Sequence, residues 1–170
     1  EANEAAIKLA RRWFYDKGQP KRFEIITMND SFHGRTMASL SATAQKKIHA
    51  GFKPLLPGFK YVPFNDISAL KKALTKKTCA VLIELIQGEG GVNLAQETYL
   101  KALRKICNEK GILLIFDEIQ TGFGRTGHLF AYERYKIKPD IITLAKALGG
   151  GVAIRAMGST NKIIESFSPG

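Results

Sequence analysis

Mostly apolar segments alternate along this chain with segments in which apolar residues recur at helical spacing. The first helix is predicted from the start of the sequence to Lys17, because apolar residues from Ala6 onward return every three or four positions before Gly18. Near-continuous apolar runs such as CAVLIELI are typical of strands that are covered on both faces of a sheet. On this basis we predict strands at residues 23–28, 79–86, 112–116 and 140–144.

Helices are predicted between these strands. Small residues favour a helix over residues 36–44, and Asp66 is expected to cap a helix from Ile67 to Leu74. An amphipathic helix is predicted from Tyr99 to Lys110, where Gly111 ends it. Strands that alternate with helices in this way predict an α/β fold, with a mainly parallel sheet and helices on both of its faces.

Prolines and glycines mark the predicted connections. Residues 54–58 form a loop, and residues 61–64 are at most a short extended segment. Residues 87–91 form a glycine-rich loop at the carboxyl end of a strand, and residues 167–170 are expected to lie in a loop.

Length and composition fit one globular domain. The chain has 170 residues, of which 45% are hydrophobic, enough for a sizeable core. It has no apolar run of membrane-spanning length and no export signal at its start, so we expect a cytoplasmic protein without a membrane partner. Cys79 and Cys107 lack C-x-x-C spacing and lie in apolar or helical contexts, which predicts buried packing residues.

The net charge of +11 raises the question of nucleic-acid binding, because phosphate backbones attract dense cationic faces. The lysines and arginines are scattered, however, and their local clusters fall on predicted helix faces or turns. No nucleic-acid-binding motif accompanies them, so we expect no nucleic-acid partner. A positive field would suit anionic small molecules equally well.

Several familiar motifs are absent or misplaced. Residues 122–127 match the dinucleotide pattern G-x-G-x-x-G, but residues 118–121 separate them from the preceding strand, whereas a dinucleotide loop follows its strand directly. The sequence contains no G-K-[ST] and no G-x-S-x-G, and its histidines lack the spacing of metal ligands. Dinucleotide, NTPase, serine hydrolase and metal sites are therefore not favoured.

Asp117 and Lys146 are the strongest candidates for chemistry. Asp117 ends a predicted strand and Lys146 follows the next one, and ligands gather at the carboxyl ends of parallel strands. The apolar neighbours of Lys146 would desolvate its ammonium group and lower its pKa, which suits a nucleophile or general base. Two structural alternatives remain open: the Lys146 stem crosses an apolar surface with its head in water, and Asp117 caps a helix or bonds within the core.

Six motifs, taken together and in order, resemble those of the class III, ornithine-type aminotransferases, which have the aspartate-aminotransferase fold (fold type I). Any one of them alone would be a weak signal. The motifs are EANEA at residues 1–5, SFHGRT at 31–36, PLLPGF at 54–59, QGEGG at 87–91, DEIQTGFGRTG at 117–127 and LAKALGGG at 144–151.

The resemblance implies a pyridoxal 5'-phosphate cofactor. Lys146 would be the Schiff-base lysine and would carry a proton between the substrate carbon and the cofactor, while Asp117 would keep the pyridine nitrogen protonated. Gln120 would bond the phenolic oxygen of the ring. The other implied contacts of the ring are Ile119 beneath it, Phe32 on its opposite face and His33 beside Phe32.

The resemblance also implies the substrates. Arg35 would bind a substrate carboxylate, and Glu89 corresponds to a glutamate that pairs with a distant arginine of the family. The motifs favour transfer of an amino group from N2-acetylornithine to 2-oxoglutarate in arginine biosynthesis, within a homodimer. Ornithine, succinylornithine and 4-aminobutyrate are alternative donors, and a non-catalytic or partner-binding fragment is the alternative of a different class.

Three residues depart from the family pattern. Leu85 and Ala153 stand where the family usually has proline, and Arg155 stands where it usually has glycine. We therefore expect Arg155 to disturb packing in a strand after Lys146. The resemblance further implies that residues 1–170 are the central part of the cofactor-binding large domain, with the phosphate-binding residues and the small domain beyond both ends.

Overall fold

The computed structural model describes residues 1–167, and its main feature is a six-stranded sheet flanked by helices. Residues 168–170, which include most of the predicted final loop, lie outside the described residues. The strands are β1 (Glu24–Met28), β2 (Phe59–Val62), β3 (Thr78–Glu84), β4 (Ile86–Gln87), β5 (Asn93–Leu94), β6 (Leu113–Asp117), β7 (Ile141–Leu144) and β8 (Ala156–Ser159). The helices are α1 (Ala2–Asp16), α2 (Met37–Ala42), α3 (Lys46–His49), α4 (Ile67–Ala73), α5 (Glu97–Lys110), α6 (Tyr132–Tyr135) and α7 (Asn161–Ile164), with a 3-10 helix over Lys146–Gly149.

The strand order in the main sheet is β2-β1-β3-β6-β7-β8. The first five strands in this order, β2 to β7, run parallel to one another, and the last strand, β8, is antiparallel to β7. The predicted α/β fold with a mainly parallel sheet is therefore confirmed. Strands β4 and β5 form a separate antiparallel ribbon.

The apolar runs are explained by cores on both faces of the sheet. In β3, Val81 and Ile83 join the core beneath α4 and α5, while Ala80 and Leu82 join the core beneath α1. Because successive side chains of a strand point to opposite faces, both sets must be apolar. Cys79 and Cys107 are buried in these cores as free thiols, as predicted.

Local signals set several element ends. The Asp66 carboxylate accepts a hydrogen bond from the Ala69 main-chain N–H at 2.8 Å, so the predicted helix cap is confirmed. Gly111 ends α5 with φ +57°, a left-handed conformation that favours glycine. None of the helices within residues 1–167 combines the length and apolarity needed to cross a membrane.

Some boundaries differ from the predictions. Strand β3 ends at Glu84 rather than Ile86, because the chain leaves the sheet there and enters the β4–β5 ribbon. Strand β2 begins at Phe59 rather than Tyr61, in register with Ile25. The short helices α3, α6 and α7 were not predicted, since four residues are too few to show a helical repeat.

Candidate active site

A cavity of about 530 Å³ opens at the carboxyl edge of the sheet, where β3, β6 and β7 end. The parallel topology brings residues that are far apart in the sequence to this edge. All but one of the site residues predicted from the sequence line it: Phe32, His33, Arg35, Asp117, Ile119, Gln120 and Lys146. The exception is Glu89.

Asp117 ends β6 at the floor of the cavity, and its side chain is 4% exposed. Its Oδ2 atom lies 2.8 Å from His33 Nδ1 and accepts a hydrogen bond from Asn3 Nδ2 at 2.7 Å. Its Oδ1 atom accepts one hydrogen bond, from the Ile119 main-chain N–H at 3.1 Å. The carboxylate is therefore held by three partners, and Oδ1 is the oxygen with fewer of these contacts.

His33 is buried and held from several sides. Its main-chain N–H donates to Thr43 Oγ1 at 2.9 Å, and its carbonyl accepts from Asn3 Nδ2 at 2.7 Å. Burial alone would lower the pKa of His33, but the hydrogen bond and charge of Asp117, with the charge of Glu84, raise the pKa above its usual value. The Nε2 atom is buried without a hydrogen-bond partner among the described residues.

Glu84 and Asn3 were missed by the sequence analysis. Glu84 lies beside Asp117 in the β3–β6 register, is 5% exposed and lines the cavity. Burial raises the pKa of Glu84 to about 7; the Asp117 charge adds to this increase, while the charges of His33 and Lys146 oppose it. An ionisable residue inside the apolar run CAVLIELI was a signal that could have identified Glu84.

Lys146 is the first residue of the 3-10 helix after β7, and its side chain lines the cavity from the exposed side. Of the two alternatives left open for Lys146, its exposed position in residues 1–167 agrees with a side chain whose head reaches solvent and not with an ammonium group buried by its apolar sequence neighbours. The reason is geometric: the chain turns at the sheet edge, and Lys146 has φ +47°, which is unusual for a residue other than glycine. Lys146 therefore faces an open part of the cavity.

Gln120 lines the cavity, and the end of its side chain lies against Gly88. A Cβ atom at Gly88 would lie 2.7 Å from Gln120 Oε1, which is closer than real contacts allow. Ile119 and Gln120 lie in the turn that begins one residue after β6, so the same turn places both side chains at the cavity.

Arg35 lines both the cavity and an adjoining groove of about 370 Å³. Its guanidinium lies over the Phe32 ring, 5.8 Å from the ring centroid. Glu89 is exposed in the turn between β4 and β5 and lines this groove together with Arg35, rather than the cavity itself.

The glycine-rich segment 122–127 forms a series of turns, without a helix opening at its end. The buried Glu118 carboxylate joins the two ends of the longer loop that contains this segment, because it accepts main-chain hydrogen bonds from Ala131 at 2.7 Å and Tyr132 at 2.8 Å. The segment therefore does not have the strand–turn–helix arrangement of a dinucleotide loop.

Arg155 does not disturb the sheet. It lies in the exposed segment before β8, and its guanidinium forms an ion pair with the Glu1 carboxylate at the rim of the cavity. The expectation of a packing defect is therefore wrong, because β8 begins one residue later.

The chain matches the family model described as aminotransferase class-III over residues 1–170. It is 54% identical to acetylornithine aminotransferase of Aquifex aeolicus over all of its residues, which cover 45% of that protein. Among solved structures it resembles ornithine aminotransferase of Toxoplasma gondii, with a TM-score of 0.94 and 37% identity, covering 100% of this chain and 41% of that one. It also resembles N-acetylornithine aminotransferase of Stenotrophomonas maltophilia, with a TM-score of 0.80 and 42% identity, covering 99% of this chain and 41% of that one.

The chain spans less than half the length of these relatives. The match nevertheless extends over the whole chain, and it includes each segment that lines the cavity. This chain belongs to the class III aminotransferase family.

Proposed function

We propose that the protein containing this chain is a pyridoxal-phosphate-dependent aminotransferase. Its amino donor would be N2-acetylornithine and its acceptor 2-oxoglutarate, with N-acetylglutamate 5-semialdehyde and glutamate as products in arginine biosynthesis. The observation that carries this proposal is the presence of a buried acid, Asp117, and an accessible amine, Lys146, in one cavity. The high identity to an acetylornithine aminotransferase supports the choice of donor.

The residues present fit the cofactor. A cavity of about 530 Å³ is within the range of small-molecule sites. At its floor, the Oδ1 atom of Asp117 accepts only one hydrogen bond in the described chain, so it can accept another from a protonated ring nitrogen. Ile119 and Phe32 would contact the ring, and Gln120 would donate a hydrogen bond to its phenolic oxygen. His33 would orient Asp117 from behind.

When bound, pyridoxal phosphate supplies an electron-withdrawing ring that stabilises negative charge on the substrate carbon. Asp117 would hold a proton at the ring nitrogen, with its own position fixed by His33 and Asn3. Lys146 would hold the cofactor through Nζ and would accept and return a proton at the same atom. The exposed position of Lys146 gives this amine access to the substrate.

Arg35 would bind a carboxylate of either substrate through its planar guanidinium. Its place between the cavity and the groove suits a substrate that extends from one into the other. Glu89 would lie along the same groove and would pair with a cation supplied by another part of the protein.

We further propose that residues 1–170 are the central part of a cofactor-binding large domain in a cytoplasmic homodimer. Segment 151–155 at the cavity rim exposes Val152 (73%) and Ile154 (50%). Apolar side chains so exposed beside a site are typical of surfaces covered by another domain or subunit.

Visible absorbance tests the cofactor assignment in the full-length protein. Addition of pyridoxal phosphate should produce a visible band that is lost in Lys146→Ala and kept in Lys162→Ala, a matched variant of an exposed lysine on α7. An unchanged band in Lys146→Ala would refute the role of this lysine.

Single-turnover rates test the amino donor. N2-acetylornithine should convert the cofactor to its amine form faster than ornithine, succinylornithine or 4-aminobutyrate do. A faster reaction with 4-aminobutyrate would overturn the proposed donor while leaving the reaction class intact.

A further inference from the structure

Glu84 is a buried ionisable residue that the proposed chemistry does not use. It ends β3, one strand away from Asp117, and its side chain lines the cavity. Its Oε2 atom accepts a hydrogen bond from the Phe32 main-chain N–H at 3.1 Å. The charged and titratable groups around it are Asp117, His33 and Lys146.

We propose that Glu84 is a positioning residue for the cofactor site, which holds the Phe32–His33 segment in place through the Phe32 main-chain N–H. This inference rests on the proposed function. It assigns to the end of β3 a task separate from that of Asp117 on β6.

The Phe32–His33 segment has no regular secondary structure of its own, so its position depends on side-chain anchors. Glu84 holds one end of the segment at the Phe32 N–H, while Thr43 and Asn3 hold the N–H and carbonyl of His33. With both residues anchored, the His33 ring meets Asp117 and the Phe32 ring faces the cavity. Loss of the Glu84 anchor would leave the Phe32 N–H without its acceptor.

Burial of a carboxyl group at the end of β3 costs free energy, so a carboxyl group is expected there only where its oxygen is needed as a hydrogen-bond acceptor. Burial of a carboxylate beside Asp117 is unfavourable, whereas an apolar residue would continue the run of β3 without that penalty. The hydrogen bond to the Phe32 N–H is the contact that an apolar residue could not supply. A hydrogen-bonding role therefore accounts for the polar residue better than packing does.

Three substitutions separate hydrogen bonding from packing in the full-length protein. Glu84→Gln keeps an acceptor oxygen, Glu84→Met keeps most of the volume without an acceptor, and Glu84→Ala keeps neither. Glu109→Gln on the exposed surface of α5 is the matched control. The affinity of the cofactor-free protein for pyridoxal phosphate is measured by equilibrium dialysis, and circular dichroism checks folding.

We expect Glu84→Met and Glu84→Ala to bind pyridoxal phosphate about tenfold more weakly, as for the loss of one buried hydrogen bond. The affinity of Glu84→Gln should stay within about threefold of the wild-type value, because the amide oxygen can accept the hydrogen bond from the Phe32 N–H and the thioether of methionine cannot replace it. If Glu84→Ala does not fold, the comparison of Gln with Met decides. Equal affinities for the Gln and Met variants would overturn the proposal.

Lys146→Ala distinguishes this proposal from the function on which it rests. A visible band that Lys146→Ala abolishes, together with unchanged binding by Glu84→Met, would overturn the role of Glu84 alone. Absence of cofactor binding by the wild-type protein would overturn both.

Discussion

The Nδ1 atom of His33 lies 2.8 Å from the Oδ2 atom of Asp117, and both side chains are almost completely buried. Burial opposes the charge on the imidazole, but the hydrogen bond and charge of Asp117, together with the charge of Glu84, raise the pKa of His33. The pair joins the segment before α2 to the end of β6, so one buried contact ties two parts of the cavity wall together. The orientation of the acid thus depends on a residue more than eighty positions away in the sequence.

Asp117→Asn should lower kcat/KM by at least about a hundredfold, because the amide cannot hold a proton on the cofactor ring as a carboxylate does. The substitution also removes the charge that raises the pKa of His33, so this pKa should fall. Steady-state kinetics measure the first effect. Asp16→Asn, at an exposed ion pair on α1, is the control, and similar activities of the two variants would contradict the assigned role.

The stability of the cofactor-free, full-length protein should depend on the ionisation of Glu84. Burial raises its pKa from 4.5 to about 7, so the favourable protonated form is fully present below pH 4.5. As pH rises from 4.5 to 7, the unfolded chain ionises first and stability falls; above pH 7 the loss levels off. This pKa shift of Glu84 corresponds to a loss of at most about 3 kcal/mol in the free energy of unfolding.

Glu84→Gln should remove this dependence, since the amide does not ionise. Urea unfolding at pH 5 and pH 8 measures this pH dependence. The free energy of unfolding of the variant, relative to that of the wild type, should be higher at pH 8 than at pH 5. Parallel pH profiles for wild type and variant would contradict the raised pKa of Glu84.

The apolar runs predicted the central strands because burial on both faces leaves a signal within a few consecutive residues. The position of Asp117 at the edge of the sheet was predicted for the same reason, since it stands where such a run stops. Asn3 was missed because its role depends on contacts between distant segments, whereas Glu84 was missed although an ionisable residue inside an apolar run was a local signal. The sequence left open whether Lys146 is buried or exposed, because apolar neighbours in sequence do not surround a side chain that projects from a turn.

Asn3→Ala should destabilise the protein by about 1–3 kcal/mol. Its Nδ2 group donates to both the His33 carbonyl and the Asp117 carboxylate, each at 2.7 Å, and both acceptors are buried. Denaturant unfolding of the cofactor-free protein measures the change. Lys8→Ala, on the exposed side of α1, is the control, and its free energy of unfolding should stay within about 0.5 kcal/mol of the wild-type value. Ala5→Gly is not a suitable control, because it alters helix propensity.

Gly88→Ala should weaken cofactor binding with little loss of stability. The added Cβ would lie 2.7 Å from Gln120 Oε1, so the end of this flexible side chain must move away from its place at the cavity. If the substitution acts only through Gln120, its effect should vanish once that side chain is absent. A double-mutant cycle with Gln120→Ala measures this coupling: the double variant should bind pyridoxal phosphate as Gln120→Ala does. Additive losses would show instead that Gly88 acts on the site independently of Gln120.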